Sequence, residues 1–201
     1  ILPETSPAVA ASAFVNTAGH AVPKQPGPEK FSARPILGYN ENFNNKRTTA
    51  YGYDINSAYA SVILDDEWID TSKPPVDKEI DPETEVGFDL NYDIQREGYS
   101  LWVFPKMKTP EPVKRYFLHH FELKRKYGAL YKETLAAMYK ILKQKEKDML
   151  NFPIGCLQKR NPWIRAWIVG KCNERISALI DENTIIWNTD SIVSAVRRPD
   201  I

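Results

Sequence analysis

The sequence predicts an α+β fold, an antiparallel sheet carrying two separated acidic turns with a pair of helices projecting from it. Three observations support this. From Thr48 to Leu64 the chain is apolar and β-like at first and helical after Ser57, so a strand ending at Asp54 runs into a short helix. Thr184-Ile185-Ile186-Trp187 and Ile192-Val193-Ser194-Ala195-Val196 are two β-rich runs around Asn188-Thr189-Asp190-Ser191, the pattern of a hairpin with a tight turn. Between these stretches, from Val113 to Ile180, apolar residues recur at helical spacing.

Residues 1–35 hold Pro3, Pro7, Pro23, Pro26, Pro28 and Pro35 among Ala and Ser, with no sustained period. They read as an extended arm or linker that packs, if at all, against a partner segment. Residues 36–112 form the first sheet region, with the Asp54 turn inside it. Residues 65–98 are acidic and interrupted by Pro74, Pro75 and Pro82, which predicts loops with short strands, and Ser100-Leu101-Trp102-Val103-Phe104-Pro105 reads as a buried strand. Residues 113–158 are helical: Tyr116, Phe117, His120, Leu123 and Tyr127 outline one helix, with Gly128 as its expected end. A second helix is expected from about Lys132 to Asn151, with Leu135, Met138, Leu142 and Met149 on its inner side. Joined by a short turn, the two make an antiparallel hairpin. In residues 159–201, Asn161 can cap a third helix with Pro162 at its first position, and Ile164, Ile168, Cys172, Ile176, Leu179 and Ile180 give its apolar stripe. There is no internal repeat.

At 201 residues the chain can bury one sizeable core, or one core and a small lobe. No apolar run approaches membrane-spanning length and no signal segment opens the chain, so a soluble, cytoplasmic protein without a membrane partner is expected. The first residue is Ile, which points to a fragment or a processed product. Cys156 and Cys172 are too few for a disulfide framework or a zinc site and read as reduced thiols. The net charge of +1 hides a strong polarity. Asp54 to Glu97 holds 13 acidic and 3 basic residues, whereas Val113 to Lys171 holds 14 basic and 4 acidic. A basic stretch of that kind attracts phosphates in a salt-sensitive manner.

Two Asp residues at strand ends can meet across a sheet and hold a pair of divalent cations, the arrangement that phosphoryl transfer needs. Singly, Asp54 reads as a strand-end residue and Asp190 as a turn residue; the basic helix between them, with Lys140, Lys143 and Lys147 one turn apart, favours the joint reading. The three stretches resemble the motifs of family B DNA polymerases, most closely the protein-primed phage-type subgroup. Asp54-Ile55-Asn56-Ser57-Ala58-Tyr59-Ala60 is similar to motif A (Asp-x-x-Ser-x-Tyr-Pro), Lys147-Asp148-Met149-Leu150-Asn151-Phe152-Pro153-Ile154-Gly155 to motif B (Lys-x-x-x-Asn-Ser-x-Tyr-Gly), and Asn188-Thr189-Asp190-Ser191 to motif C (Asp-Thr-Asp-Ser).

The resemblance implies a polymerase palm with a two-helix fingers hairpin and template-directed DNA synthesis from deoxynucleoside triphosphates onto a primer 3′-hydroxyl. On it, Asp54, the Ile55 carbonyl and Asp190 hold two Mg2+ ions, for which Mn2+ can substitute. Ser57, Tyr59, Lys143, Lys147 and Asn151 meet the nucleotide, with Tyr59 as a gate against a 2′-hydroxyl; its simpler reading is a core tyrosine. Gly155 and Ser191 contact DNA. No Asp-x-Glu exonuclease motif precedes Gly38 and no Lys-x-Tyr thumb motif follows Ile201, so the exonuclease and thumb are expected outside this chain. The partners implied are DNA template-primer, deoxynucleoside triphosphates and the remaining polymerase segments or another replication protein. The compartment is the host cytoplasm for a phage-encoded protein. Asn188 removes a charge from motif C, Phe152 and Ile154 replace a hydroxyl and an aromatic ring, and Pro153 is expected to end or kink its helix. These departures favour the alternative of a degenerate polymerase domain kept as a DNA-binding or structural module.

Overall fold

The β-rich runs pair as two antiparallel sheets. A computed structural model describes residues 6–9, 14, 22–28, 31, 33–44 and 47–199. Its strands are β1 (Gly38–Tyr39), β2 (Tyr51–Asp54), β3 (Trp68–Ile69), β4 (Val76–Glu79), β5 (Glu85–Phe88), β6 (Ile94–Gln95), β7 (Tyr99–Met107), β8 (Thr184–Asn188) and β9 (Ser191–Ser194). The first sheet has the order β1-β8-β9-β2, and the second β3-β7-β5-β6 with β4 also on β7. The close cross-strand approach of β1 and β8 requires Gly38: a Cβ there would lie 2.4 Å from Cζ2 of Trp187, its register partner.

Among the described residues the longer helices are α1 (Ala58–Ile63), α2 (Glu111–Thr134), α3 (Ala137–Arg160) and α4 (Pro162–Ser177), and a single 3-10 turn covers Glu41–Phe43. The expected stripe of α4 is buried at Ile164, Ile168, Cys172 and Ile176, but the helix ends at Ser177, ahead of Leu179 and Ile180. Asn161 caps it as expected, its Oδ1 accepting from the Ile164 amide at 3.2 Å. Its Nδ2 also donates to the Pro23 carbonyl and to Thr71 Oγ1, both at 2.8 Å. Trp163 sits among Phe31, Tyr92, Trp102, Phe88 and Phe104, so rings from the arm and from the second sheet meet on α4.

The described part of the arm has its partner within the chain. Val22, Pro23 and Pro26 lend carbonyls to Arg160 Nε, Asn161 Nδ2 and Trp163 Nε1 at 2.8, 2.8 and 3.1 Å. Prolines cannot donate, so their carbonyls are served by donors at the α3–α4 junction, while the Gln25 amide between them donates to the Arg160 carbonyl at 3.1 Å.

The helical hairpin corrects three expectations. Gly128 does not end α2, which continues to Thr134 and stops where Leu135 turns left-handed at φ 54°. A glycine inside a long helix costs only about 1 kcal/mol relative to alanine. The second helix starts at Ala137 rather than near Lys132, and Leu135 and Met138 are 73% and 55% exposed rather than inner residues. The buried side of α3 is Leu150, Ile154 and Leu157, near the base of the hairpin. Pro153 does not end α3, which runs through to Arg160. The Met149 carbonyl, which loses its helical donor to Pro153, accepts instead from the Tyr116 hydroxyl on α2 at 3.0 Å. One turn away His120 Nδ1 and Glu146 Oε2 pair at 2.6 Å in a largely buried setting.

This compensation has a measurable signature. Tyr116→Phe should cost about 1–3 kcal/mol by leaving the Met149 carbonyl short of a donor. The same change in a Pro153→Ala background, where the backbone N–H is restored, should cost well under half of that. Urea denaturation midpoints of the four proteins in this double-mutant cycle check it, and additive effects would refute the link.

Candidate functional site

The register of β2 with β9 sets the site. Asp54 lies opposite Ser191, and immediately beyond the ladder the Ile55 amide donates to the Asp190 carbonyl at 2.6 Å. Asp190 occupies the two-residue turn between β8 and β9. Asn188 holds that turn: its Oδ1 accepts from the Asp190 amide at 3.3 Å and from Ser191 Oγ at 2.9 Å. A carboxamide at position 188 does this without adding a second charge beside Asp190. Asp54 and Asp190 are both exposed, and among the described residues neither carboxylate has an ion-pair partner.

Asp54, Ile55, Ser57, Tyr59, Lys147, Asn151 and Asp190 line one cavity of about 430 Å³, so seven residues singled out from the sequence come together. Lys143 and Lys140 line an adjoining cavity of about 540 Å³ that shares Asp54 and Lys147. Gly155 is exposed on α3 with open space beside it, and lines neither cavity. Ser191 spends its hydroxyl on Asn188 within the turn. Ser57 takes the left-handed conformation at φ 51° without capping α1, and its Oγ accepts from Lys124 Nζ.

Lys124 is the residue that the sequence reading missed. It lines both cavities, and its Nζ also donates to Asn56 Oδ1 at 2.8 Å. The signal lay in the antiparallel pairing of α2 with α3. Gly128 faces Lys143 across the hairpin, so Lys124, one turn earlier, comes level with Lys147. Burial holds the Lys124 ammonium below its usual range, Lys147 and Lys143 push it the same way, and Asp54 opposes them. Lys124, Lys143 and Lys147 thus gather three like charges on the wall of the cavity that holds Asp54.

Tyr59 is half-buried and packs on the core while its ring lines the first cavity. Burial, chiefly, raises its phenol above the ordinary range, with Cys172 and Asp190 adding to the effect and Arg165 opposing it, so it stays neutral. Among the described residues no three His, Cys, Asp or Glu side chains gather as a metal cage. Two free carboxylates are nevertheless a suitable donor set for Mg2+, which retains waters and takes its other ligands from bound phosphates.

No known protein family and no curated protein matches the sequence. Solved structures do match. Phi29 DNA polymerase complexed with primer-template DNA and incoming nucleotide substrates superposes at a TM-score of 0.61 and 14% identity, over 98% of this chain and 49% of that one. The fold is polymerase-like. The post-translocation binary complex of Phi29 DNA polymerase with primer-template DNA gives 0.61 at 13% identity with the same coverage. The chain thus spans about half the length of the structures it matches. The two-cavity site lies within this polymerase-like fold, and among the described residues no helix is long and apolar enough to cross a membrane.

Beneath Tyr59, burial pushes the Cys172 thiol up to about 12, with Arg175 opposing, and burial raises the Tyr116 phenol to about 12, with Glu146 adding to it. Both groups hold their protons more tightly folded than unfolded. The stability they contribute is therefore complete below their unfolded values of 9.0 and 10.0, and is lost as pH rises towards about 12. Urea midpoints measured in steps from about pH 8 to about pH 11.5 should fall, and Cys172→Ala should flatten the earlier part of that fall. A midpoint that stays level across this range would contradict the burial of both groups.

Proposed function

We propose that this chain is the palm and fingers core of a family B-like DNA polymerase, which extends a primer 3′-hydroxyl from deoxynucleoside triphosphates on a DNA template. The observation that carries this reading is the cavity in which Asp54, Asp190, Tyr59, Lys147 and Asn151 meet Lys124, within a polymerase-like fold. Asp54, Asp190 and the Ile55 carbonyl would hold Mg2+, or Mn2+ in its place. Held there, such ions would supply the charge that lowers the pKa of a primer hydroxyl and offsets charge on the departing pyrophosphate.

The residues of the chain bind and orient. Lys147, Lys143 and Lys124 grip the triphosphate, each as a point charge on a long stem. Tyr59 presents a neutral ring beneath the sugar and leaves no room for a 2′-hydroxyl. Asn151, one turn from Lys147 on α3, borders the base. Gly155 and Ser191 border the DNA. Asn188 keeps the turn in shape so that the Asp190 carboxylate remains free. The rival reading, a degenerate module that binds DNA without synthesis, draws on Ile154, which is buried and so offers no aromatic platform to a base pair.

Primer extension with Mg2+ by the full-length protein tests the proposal. Asp54→Ala and Asp190→Ala should each lower kcat by roughly a thousandfold, several kcal/mol of transition-state stabilisation. Lys147→Ala should raise KM for the nucleotide about tenfold, and Tyr59→Val should admit ribonucleotides. Extension that survives both Asp substitutions sinks the metal role, and tight DNA binding without any extension by the wild type assigns the degenerate module.

A further inference from the structure

The cationic surface does not stop at the second cavity. Farther up the hairpin lies a third, of about 280 Å³, lined by Asn56, Lys124, Arg125, Gly128, Lys132 and Lys143. Asn56, Lys124 and Lys143 also line the second cavity, so the two are continuous. No acidic side chain lines the third cavity, and among the described residues Arg125, Lys132 and Lys143 have no ion-pair partner. Gly128 keeps its wall low: a Cβ there would meet only Lys143 Cδ and Cε, at 3.7 Å. Arg125 and Lys132 are both exposed and free to turn towards a ligand.

We propose that this third cavity is a pyrophosphate subsite, which takes the inorganic pyrophosphate released at the carboxylates and holds it on its way to solvent. The inference rests on the polymerase reading. In that reaction the primer oxygen bonds to the α-phosphorus, the bond from that phosphorus to the β-bridging oxygen breaks, and the hydroxyl proton goes to solvent. Pyrophosphate then leaves as a compact polyanion. The cavity where it forms contains Asp54 and Asp190, whereas the third contains four cations and no carboxylate. Lys124, common to all three cavities, and Lys143, common to the second and third, give a path along which the anion need never leave a positive partner.

The test is titration calorimetry of sodium pyrophosphate into the full chain, with divalent cations removed. Arg125→Ala combined with Lys132→Ala should weaken pyrophosphate binding about tenfold and leave deoxynucleoside triphosphate affinity nearly unchanged. Lys147→Ala should do the reverse. Both substituted residues are exposed, and circular dichroism verifies that the fold is kept. Unchanged pyrophosphate affinity in the double variant, or no pyrophosphate binding by the wild type, overturns the subsite. So does a labelled single-stranded oligonucleotide that loses affinity in the double variant while pyrophosphate does not, since the cavity is then a nucleic-acid track. These readouts need neither metal nor synthesis. A failure of the polymerase reading, seen as extension that ignores Asp54, is therefore distinguishable from a failure of the subsite.

Discussion

The pairing of β2 with β9 is the constraint on which the site depends. It joins segments far apart in the sequence, and its register places Asp54 beside the Asp190 turn. Side chains alternate faces along a strand, so a slip of one residue would send Asp54 to the opposite face and leave Asp190 alone. The register is defended locally. Asn188 fixes the turn on one side, and on the other the bare Gly38 backbone lets Trp187 lie flat against β1. The two carboxylates are held by backbone bonds rather than by partners of their own, which is why their charge stays available.

The distribution of ion pairs explains the polarity seen along the sequence. Asp65, Asp66 and Glu67, in the acidic stretch after α1, are neutralised by Arg175, Lys114, and Arg96 with Lys171. These pairs tie α2, α4 and the chain just after β6 to the loop that follows α1, away from the cavities. Lys124, Lys140, Lys143 and Lys147 receive no such partners among the described residues, and all four line the cavity that holds Asp54. Acidic and basic surpluses that nearly cancel in the total are thereby sorted, part of the one into ion pairs and part of the other onto the walls of the cavities.

What the sequence made legible was local. The strand-to-helix switch at Ser57, the β8–β9 turn and the Asn161 cap each depend on a few neighbouring residues, and each is found in the structure. What it concealed was tertiary. Gly128 and Pro153 look like helix breakers, yet the first lies against the Lys143 stem and the second has its lost donor replaced from another helix. Leu135 and Met138 follow an inner-face period, but at the tip of a projecting hairpin no described element covers them. Lys124 carries no motif of its own; only the pairing of α2 with α3 brings it to the site.

The Tyr116–Met149 contact also bears on how such a sequence can drift. With Tyr116 present, position 153 tolerates either a residue that donates its own N–H or a proline, since the carbonyl is served in both cases. With proline in place, the hydroxyl at position 116 is no longer dispensable. The two positions therefore have a permitted order of change, tyrosine before proline on the way in and proline before tyrosine on the way out.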